Sequence, residues 1–304
     1  MNTLVVITGA TGSGKTSLAI EVAKASGAEI ISADSRQIFR EIPIGTAAPT
    51  PVELAAVPHY FVGTHSLTDY YSAADFEADV LRLLEEKWKT HSTMVMVGGS
   101  MMYVDAVVNG IDDLPTISEE NRRKAMLVYE EGGLQQLRLD LLEMDPDYYK
   151  IVDLNNHKRL IHALEIMYES GKKYSELRTG ERRQRDFRIL KYAIDLPREV
   201  LFSRINARTE QMLASGFLQE AERVYPLRHL NSLNTVGYKE LFAYIDGKMD
   251  YDTAVARIAK NTRVYAKKQL TWLKKDDSVK FLQPETALMT ILKDLGEPMM
   301  AENS

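Results

Sequence analysis

Short, continuous apolar runs alternate with amphipathic stretches through the first hundred residues of the chain. Leu4 to Thr8, Ala28 to Ala33 and Thr93 to Val97 lack the polar alternation of a half-exposed strand, so they predict strands of a parallel sheet, with Ile30 and Ile31 buried on both faces. Between them, Thr16 to Ala25 predicts a helix ended by Gly27, and Ser72-Ala73-Ala74-Asp75 reads as a capping box opening a helix through Trp88. Gly98-Gly99 breaks the third strand, and Ser100 is placed to cap the helix that follows.

After Gly110 the period changes. Ile111-Asp112-Asp113-Leu114-Pro115 reads as a linker, and Ser118 to Glu169 carries helical spacing almost throughout. Strand character returns at Ile189 to Ile194, followed by Pro197 and a helix to Gly216. The expectation is an α/β fold: a P-loop NTPase-like parallel sheet flanked by helices, built from residues 1–112 and 188–295. An all-helical subdomain is inserted at 113–187, and residues 296–304 form a tail.

The first strand runs directly into Gly9-Ala10-Thr11-Gly12-Ser13-Gly14-Lys15-Thr16 and then a helical pattern, which is the context a phosphate-binding P-loop requires. Its glycines let successive backbone N–H groups turn inward around phosphate oxygens, and the helix N-terminus adds a positive dipole end. Lys15 supplies a point charge, and the Thr16 hydroxyl can reach a magnesium ion. The loop alone identifies neither the polyphosphate nor the bond that breaks.

Composition narrows the classes. At 304 residues, 45% of them apolar and 27% charged, the chain can bury a full core over about two domains. It holds no cysteine, which excludes disulfides, thiolate nucleophiles and Cys-based metal centres. The six histidines show no metal-ligand spacing, so no metal beyond magnesium is expected. No run of about 18 apolar residues and no leader pattern occurs, so a cytoplasmic protein away from membranes is expected.

Net charge is −5, but the cations are clustered. Arg257 to Lys275 contains seven basic residues and no acidic one, and Arg178 to Arg188 holds five arginines against Glu181 and Asp186. Both are candidate surfaces for an anionic partner, or plain solvated faces. Thr262, Tyr265, Gln269 and Trp272 are interleaved with the first cluster and offer bonding and stacking groups that suit RNA, although Tyr265 and Trp272 also suit a core.

In a parallel sheet, ligands gather at the carboxyl ends of strands, so the residues after each predicted strand carry most weight. Asp34 stands at such an end and reads either as a magnesium ligand or as a general base. Arg204 and Arg208 project from one face of a helix whose neighbouring stripe is Leu201 and Ile205; charge alone leaves open whether they reach the phosphates. Arg159 and His162 share a face opposite Leu160, Leu164 and Met167.

These residues lie within longer segments that resemble the tRNA dimethylallyltransferase family: GATGSGKTSLAIEVA, SADSRQIFREIPIGTAAPT, VPHYFVG, YSAADF, VGGSMMYVDAVVNG, HKRLIHALEIMYESGK, RINARTEQMLASGF, TVGYKEL and TRVYAKKQLTWLKKD, in order over roughly residues 4 to 275. The resemblance implies transfer of a dimethylallyl group from dimethylallyl diphosphate to N6 of the adenosine on the 3′ side of the tRNA anticodon. No ATP is consumed, magnesium is the cofactor, and a monomer is expected. Gly9, Ala10, Thr11, Gly12, Ser13, Gly14, Lys15 and Thr16 would hold the diphosphate, with Thr16 on the metal. Asp34 would be the general base, and Arg208 would stabilise the departing charge. Ser35, Arg36 and Gln37 would meet the target adenosine. Ser100, Arg122, Lys158, Arg159, Leu160, Ile161 and His162 would contact tRNA; Lys267 and Lys268, from the basic Arg257 to Lys275 stretch, are further candidates for holding it. His162 departs from the arginine usual in the family, Ser100 from the more common threonine, and the cysteine-based finger of eukaryotic members is absent.

Three rival readings share the loop. A small-molecule kinase would bind ATP there and use Asp34 on a hydroxyl; Gly98-Gly99 in place of an acidic strand end and the two basic stretches disfavour it. A prenyltransferase acting on free adenine nucleotides would not need the helical insertion. A P-loop switch or RNA-binding module would leave Asp34 and Arg208 without a task.

Overall fold

The computed structural model describes residues 1–296. They fall into two compact units, residues 1–108 with 185–296, and residues 109–184. The boundaries lie a few residues before those expected at 113 and 187, because Asn109 ends a helix and Arg185 folds back onto that helix's carbonyls. The expected tail, apart from Gly296, lies outside the described residues.

The first unit is a six-stranded, all-parallel sheet in the order β3-β2-β4-β1-β5-β6. Its strands are β1 (Thr3–Thr8), β2 (Ile30–Ser32), β3 (His59–Tyr60), β4 (Thr93–Gly98), β5 (Arg188–Ile194) and β6 (Val279–Leu282). Every residue of β1 and β4 is buried. Side chains alternate across a strand, so Val5 and Ile7 face one layer and Leu4 and Val6 the other. On the first side lie α1 (Lys15–Ser26) and α13 (Pro284–Leu295), through Leu18, Val22 and Ile291. On the second lie α3 (Ala73–Lys87) and α4 (Met101–Asn109), through Phe76, Leu84 and Val104. Burial on both faces is why these strands read as unbroken apolar runs.

Local chemistry sets the helix ends. Ser72 accepts from the Asp75 amide while Asp75 accepts back from the Ser72 amide at 2.8 Å, which is the anticipated capping box. Thr50 and Glu53 do the same for α2 (Pro51–Ala56). Ser100 behaves differently from expectation: its hydroxyl accepts from the Ser35 amide at 2.8 Å and donates to Ser35 Oγ at 3.1 Å, tying the end of β4 to the loop after β2. β3 and β6, two and four residues long, are edge strands with no apolar run to announce them.

The remaining helices of this unit are α9 (Arg198–Ala214), α10 (Phe217–Val224), α11 (Tyr238–Ile245) and α12 (Tyr251–Leu273). Phe217, Tyr238, Leu241 and Phe242 form a core with Ile38, Phe39 and Ile42 of the segment after β2. Buried Glu220 accepts from the Ile44 amide at 2.8 Å, the Gly45 amide at 2.7 Å and the Tyr238 hydroxyl at 2.5 Å. This carboxylate fixes the loop that forms one wall of the site described below.

The second unit is all helical: α5 (Glu119–Met144), broken at Gly133, α6 (Pro146–Tyr149), α7 (His157–Ser170) and α8 (Tyr174–Leu177). Leu137, Leu141, Leu160, Ile161, Leu164 and Met167 form its core. Buried Asp145 accepts from the Tyr148 and Ser175 amides at 3.0 and 2.7 Å.

Candidate functional site

The P-loop turns from β1 into α1 through Gly12 (φ +81°) and Gly14 (φ +92°), a left-handed backbone that residues with a Cβ resist. Part of the loop's donor capacity is already used: the Ser13 amide donates to Ala10 O at 3.2 Å and the Thr11 amide to Gln269 Oε1 at 2.9 Å. The amides of Lys15 and Thr16 open the first turn of α1, where an N–H has no partner within its own helix. Those amides and the helix dipole favour an anion at this end.

α9 lies over the loop. Leu201 and Ile205 are buried with Ala10 and Ala266, which leaves Arg204 and Arg208 facing the phosphate cradle. Arg204 Nη1 donates to Ser13 O at 3.3 Å. Arg208 Nη1 lies 3.4 Å from Thr11 Oγ1 and its Nη2 lies 3.5 Å from Thr46 O, both at the long end of hydrogen bonding. The guanidinium is held near the loop without being saturated by it.

Asp34 follows β2 by two residues. Its Oδ1 accepts from the Arg36 amide at 3.0 Å and the Gln37 amide at 3.3 Å, an Asx turn that orients the carboxylate. Gln37 Nε2 donates to Thr46 O at 3.2 Å and Ala47 O at 3.1 Å, and its Oε1 accepts from Ser32 Oγ at 3.3 Å. Gln37 therefore braces the loop that Glu220 holds from below. At the end of β4, a Cβ on Gly98 would meet Ala33 O at 2.1 Å, and one on Gly99 would meet Gln269 Nε2 at 2.5 Å. The Ala33 backbone and the Gln269 side chain fill the place where an acidic strand end would stand.

These elements enclose a cavity of about 420 Å³ lined by Thr11, Lys15, Thr16, Asp34, Ser35, Arg36, Gln37, Ser100 and Arg208. Ile205, Met212, Val236 and Ile258 add apolar wall. Burial, with a further push from Arg208, lowers Lys15 to about 8, while Asp34 opposes the shift. Burial also lowers the guanidinium values of Arg208 and Arg36, again against the pull of Asp34; both arginines stay charged. Cations crowded into a partly dry cavity around one carboxylate make a site for a ligand of several negative charges.

Two of the expected tRNA contacts are corrected. Leu160 is 0% and Ile161 7% exposed, both packed in the core of the helical unit, so neither offers a surface. Lys158, Arg159 and His162 on α7, and Arg122 on α5, are exposed on that unit. His162 Nδ1 lies 3.5 Å from Glu165 Oε2. Lys267 and Lys268 are exposed on α12, whereas Gln269, grouped with them in the sequence, is buried. Tyr265 lines the cavity, its hydroxyl pushed up by burial and then by Asp34.

Sequence reasoning did not foresee Gln269 as part of the cavity, nor His59, which also lines it. His59 Nδ1 donates to Val57 O at 2.7 Å, and its buried Nε2 has no hydrogen-bond partner among the described residues.

Comparison with known proteins agrees with this architecture. The IPP transferase family matches residues 37–276. The chain is 52% identical over 284 residues to tRNA dimethylallyltransferase 1 of Phocaeicola vulgatus, covering 93% of this chain and 95% of that protein. It is 53% identical over 285 residues to tRNA dimethylallyltransferase 2 of Parabacteroides distasonis, covering 94% and 95%. The crystal structure of the full-length tRNA isopentenylpyrophosphate transferase from Bacillus halodurans superposes with a TM-score of 0.72 at 30% identity, covering 97% of this chain and 96% of that one. By sequence, and with a fold to match, the chain belongs to the IPP transferase family.

Proposed function

We propose that the protein transfers the dimethylallyl group of dimethylallyl diphosphate to the exocyclic N6 of the adenosine on the 3′ side of the tRNA anticodon. The observation that carries the reading is a single cavity lined by Lys15 and Thr16 of the P-loop, by Asp34 and by Arg208. The names of the relatives, which are tRNA dimethylallyltransferases, support the same substrate class.

The lone pair of an adenine amino group is delocalised into the ring, so attack on carbon requires loss of a proton as the bond forms. Asp34, held by its Asx turn, takes that proton from N6. The N6–C bond forms while the allylic C–O bond breaks, and the electron pair leaves on the diphosphate. Charge therefore grows where Lys15, Arg208 and the amides opening α1 converge, and such donors stabilise the transition state more than the bound ester.

Magnesium fits the donor chemistry, since Thr16 and Asp34 present hard oxygens to the same cavity. Among the described residues no group of three or more His, Asp or Glu side chains could hold a metal by itself. The ion would be held by Thr16 and diphosphate oxygens and would add Lewis-acid stabilisation of the leaving group.

Exposed Arg122, Lys158, Arg159 and His162 on the helical unit, and Lys267 and Lys268 on α12, serve the tRNA backbone in this reading. It includes action as a monomer in the cytoplasm; no described helix is long and apolar enough to cross a membrane. The test is parallel incubation of an anticodon stem-loop with labelled dimethylallyl diphosphate and with γ-labelled ATP. Label in the RNA from the first supports the proposal, and phosphoryl transfer from the second alone refutes it in favour of a kinase.

A further inference from the structure

α12 turns Lys267 and Lys268 to solvent, yet the next residue points inward: Gln269 is 2% exposed. A buried primary amide is stable only where both of its ends are met, and here they are met by two separate functional segments. Its Oε1 accepts the Thr11 amide at 2.9 Å, and its Nε2 donates to Gly99 O at 2.9 Å. Those partners follow β1 and β4, neighbouring strands of the sheet, and they lie 258 and 170 residues from Gln269.

From each end of the bridge a short path leads to a reacting group. The Thr11 hydroxyl lies 3.4 Å from Arg208 Nη1. Gly99 follows Gly98, whose Cα is seated so closely on Ala33 that an added Cβ would meet its carbonyl at 2.1 Å, and Ala33 precedes Asp34. Gly99 is itself matched to the amide, because a Cβ there would come within 2.5 Å of Gln269 Nε2.

We infer that Gln269 is a positioning residue for prenyl transfer, holding Thr11 beside Arg208 and the Gly98-Gly99 turn beside Asp34 so that leaving-group stabilisation and proton removal share one geometry. The inference rests on the diphosphate reading of the P-loop. Gln269 acts through Thr11 and Gly99, and its loss misaligns groups that matter most in the transition state. Turnover falls while ground-state binding is largely kept.

The test measures single-turnover transfer, donor KM and stem-loop affinity for wild type, Gln269→Ala, Gly99→Ala and the double variant. Each single variant is expected to lose tenfold or more in kcat, with donor KM and RNA affinity within about threefold of wild type. Removing the glutamine leaves room for the new Cβ, so the double variant should be no slower than the slower single variant. Gly99→Ala probes the bridge from its other end if Gln269→Ala does not fold. Wild-type kcat in either folded variant, or a double variant whose loss is the product of the two single losses, overturns the inference. Absence of transfer by the wild-type protein overturns instead the reading on which it rests.

Discussion

Lys15 gives the sharpest quantitative expectation. Burial and Arg208 bring it to about 8 in the free site, against an ordinary value of 10.5. A difference of that size corresponds to about 3 kcal/mol between charged and neutral forms. A bound diphosphate reverses the imbalance by supplying negative charge beside the ammonium, so binding must draw a proton onto Lys15 wherever the free group is neutral. Affinity is therefore level between about pH 7 and 8 and falls about tenfold per unit above that, to a limit of roughly 300-fold if the bound value returns to the ordinary one.

Calorimetric titration with a non-reactive thio-linked dimethylallyl diphosphate, in buffers of different ionisation enthalpy, reads both affinity and proton uptake. Net uptake should be near zero at pH 7, where about 0.1 proton lost by phosphate groups titrating near pH 6 offsets the proton gained by Lys15, then about 0.5 at pH 8 and about 0.9 at pH 9. Lys15→Met should lose the uptake. The same variant should melt a few degrees higher without ligand at pH 7: the folded-state value lies below the unfolded one, so charged Lys15 costs stability below about pH 8 and that cost fades as pH rises toward 10.5. Affinity that stays level to pH 9.5 with no proton uptake would refute the reasoning.

Other substitutions separate the roles. Asp34→Ala should abolish transfer while stem-loop affinity, measured by filter binding, changes less than threefold. Arg208→Ala should lower kcat about a hundred- to thousandfold with a smaller change in donor KM, which steady-state kinetics resolves. Replacing both Lys267 and Lys268 with Ala should weaken RNA binding and reduce the slope of log affinity against log salt by about 1 to 2, because two phosphate contacts are lost. Leu164→Ala, at a fully buried position of the helical unit, should cost about 2–5 kcal/mol by urea unfolding.

The sheet was legible because β1, β2 and β4 are buried on both faces and so read as uninterrupted apolar runs. The short edge strands β3 and β6 were not, since two to four residues carry no periodic signal. The P-loop was legible because its conformation is demanded locally, by glycines at positive φ and a lysine at a helix start. What stayed hidden depends on long-range placement. Arg204 and Arg208 were ambiguous by charge until Leu201 and Ile205 packed on Ala10 and turned both toward the loop. Gln269 looked like part of a basic RNA-facing stretch, and Leu160 and Ile161 like part of an RNA-facing helix, because sequence neighbours on a helix point in different directions. Gly98-Gly99 registered as a strand break and a missing acid; close approach of Ala33 and Gln269 supplies its positive reason.

The central claim is that the cradle from Gly9 to Thr16 holds the leaving group of an alkylation rather than the donor of a phosphoryl group. Mass analysis of nucleosides from an anticodon stem-loop, after incubation with the protein, magnesium and dimethylallyl diphosphate, tests it most directly. The account predicts one adenosine, on the 3′ side of the anticodon, carrying a dimethylallyl group on N6, with one diphosphate released per group transferred. Unmodified RNA in that reaction, together with a phosphorylated product when ATP is supplied instead, would contradict it.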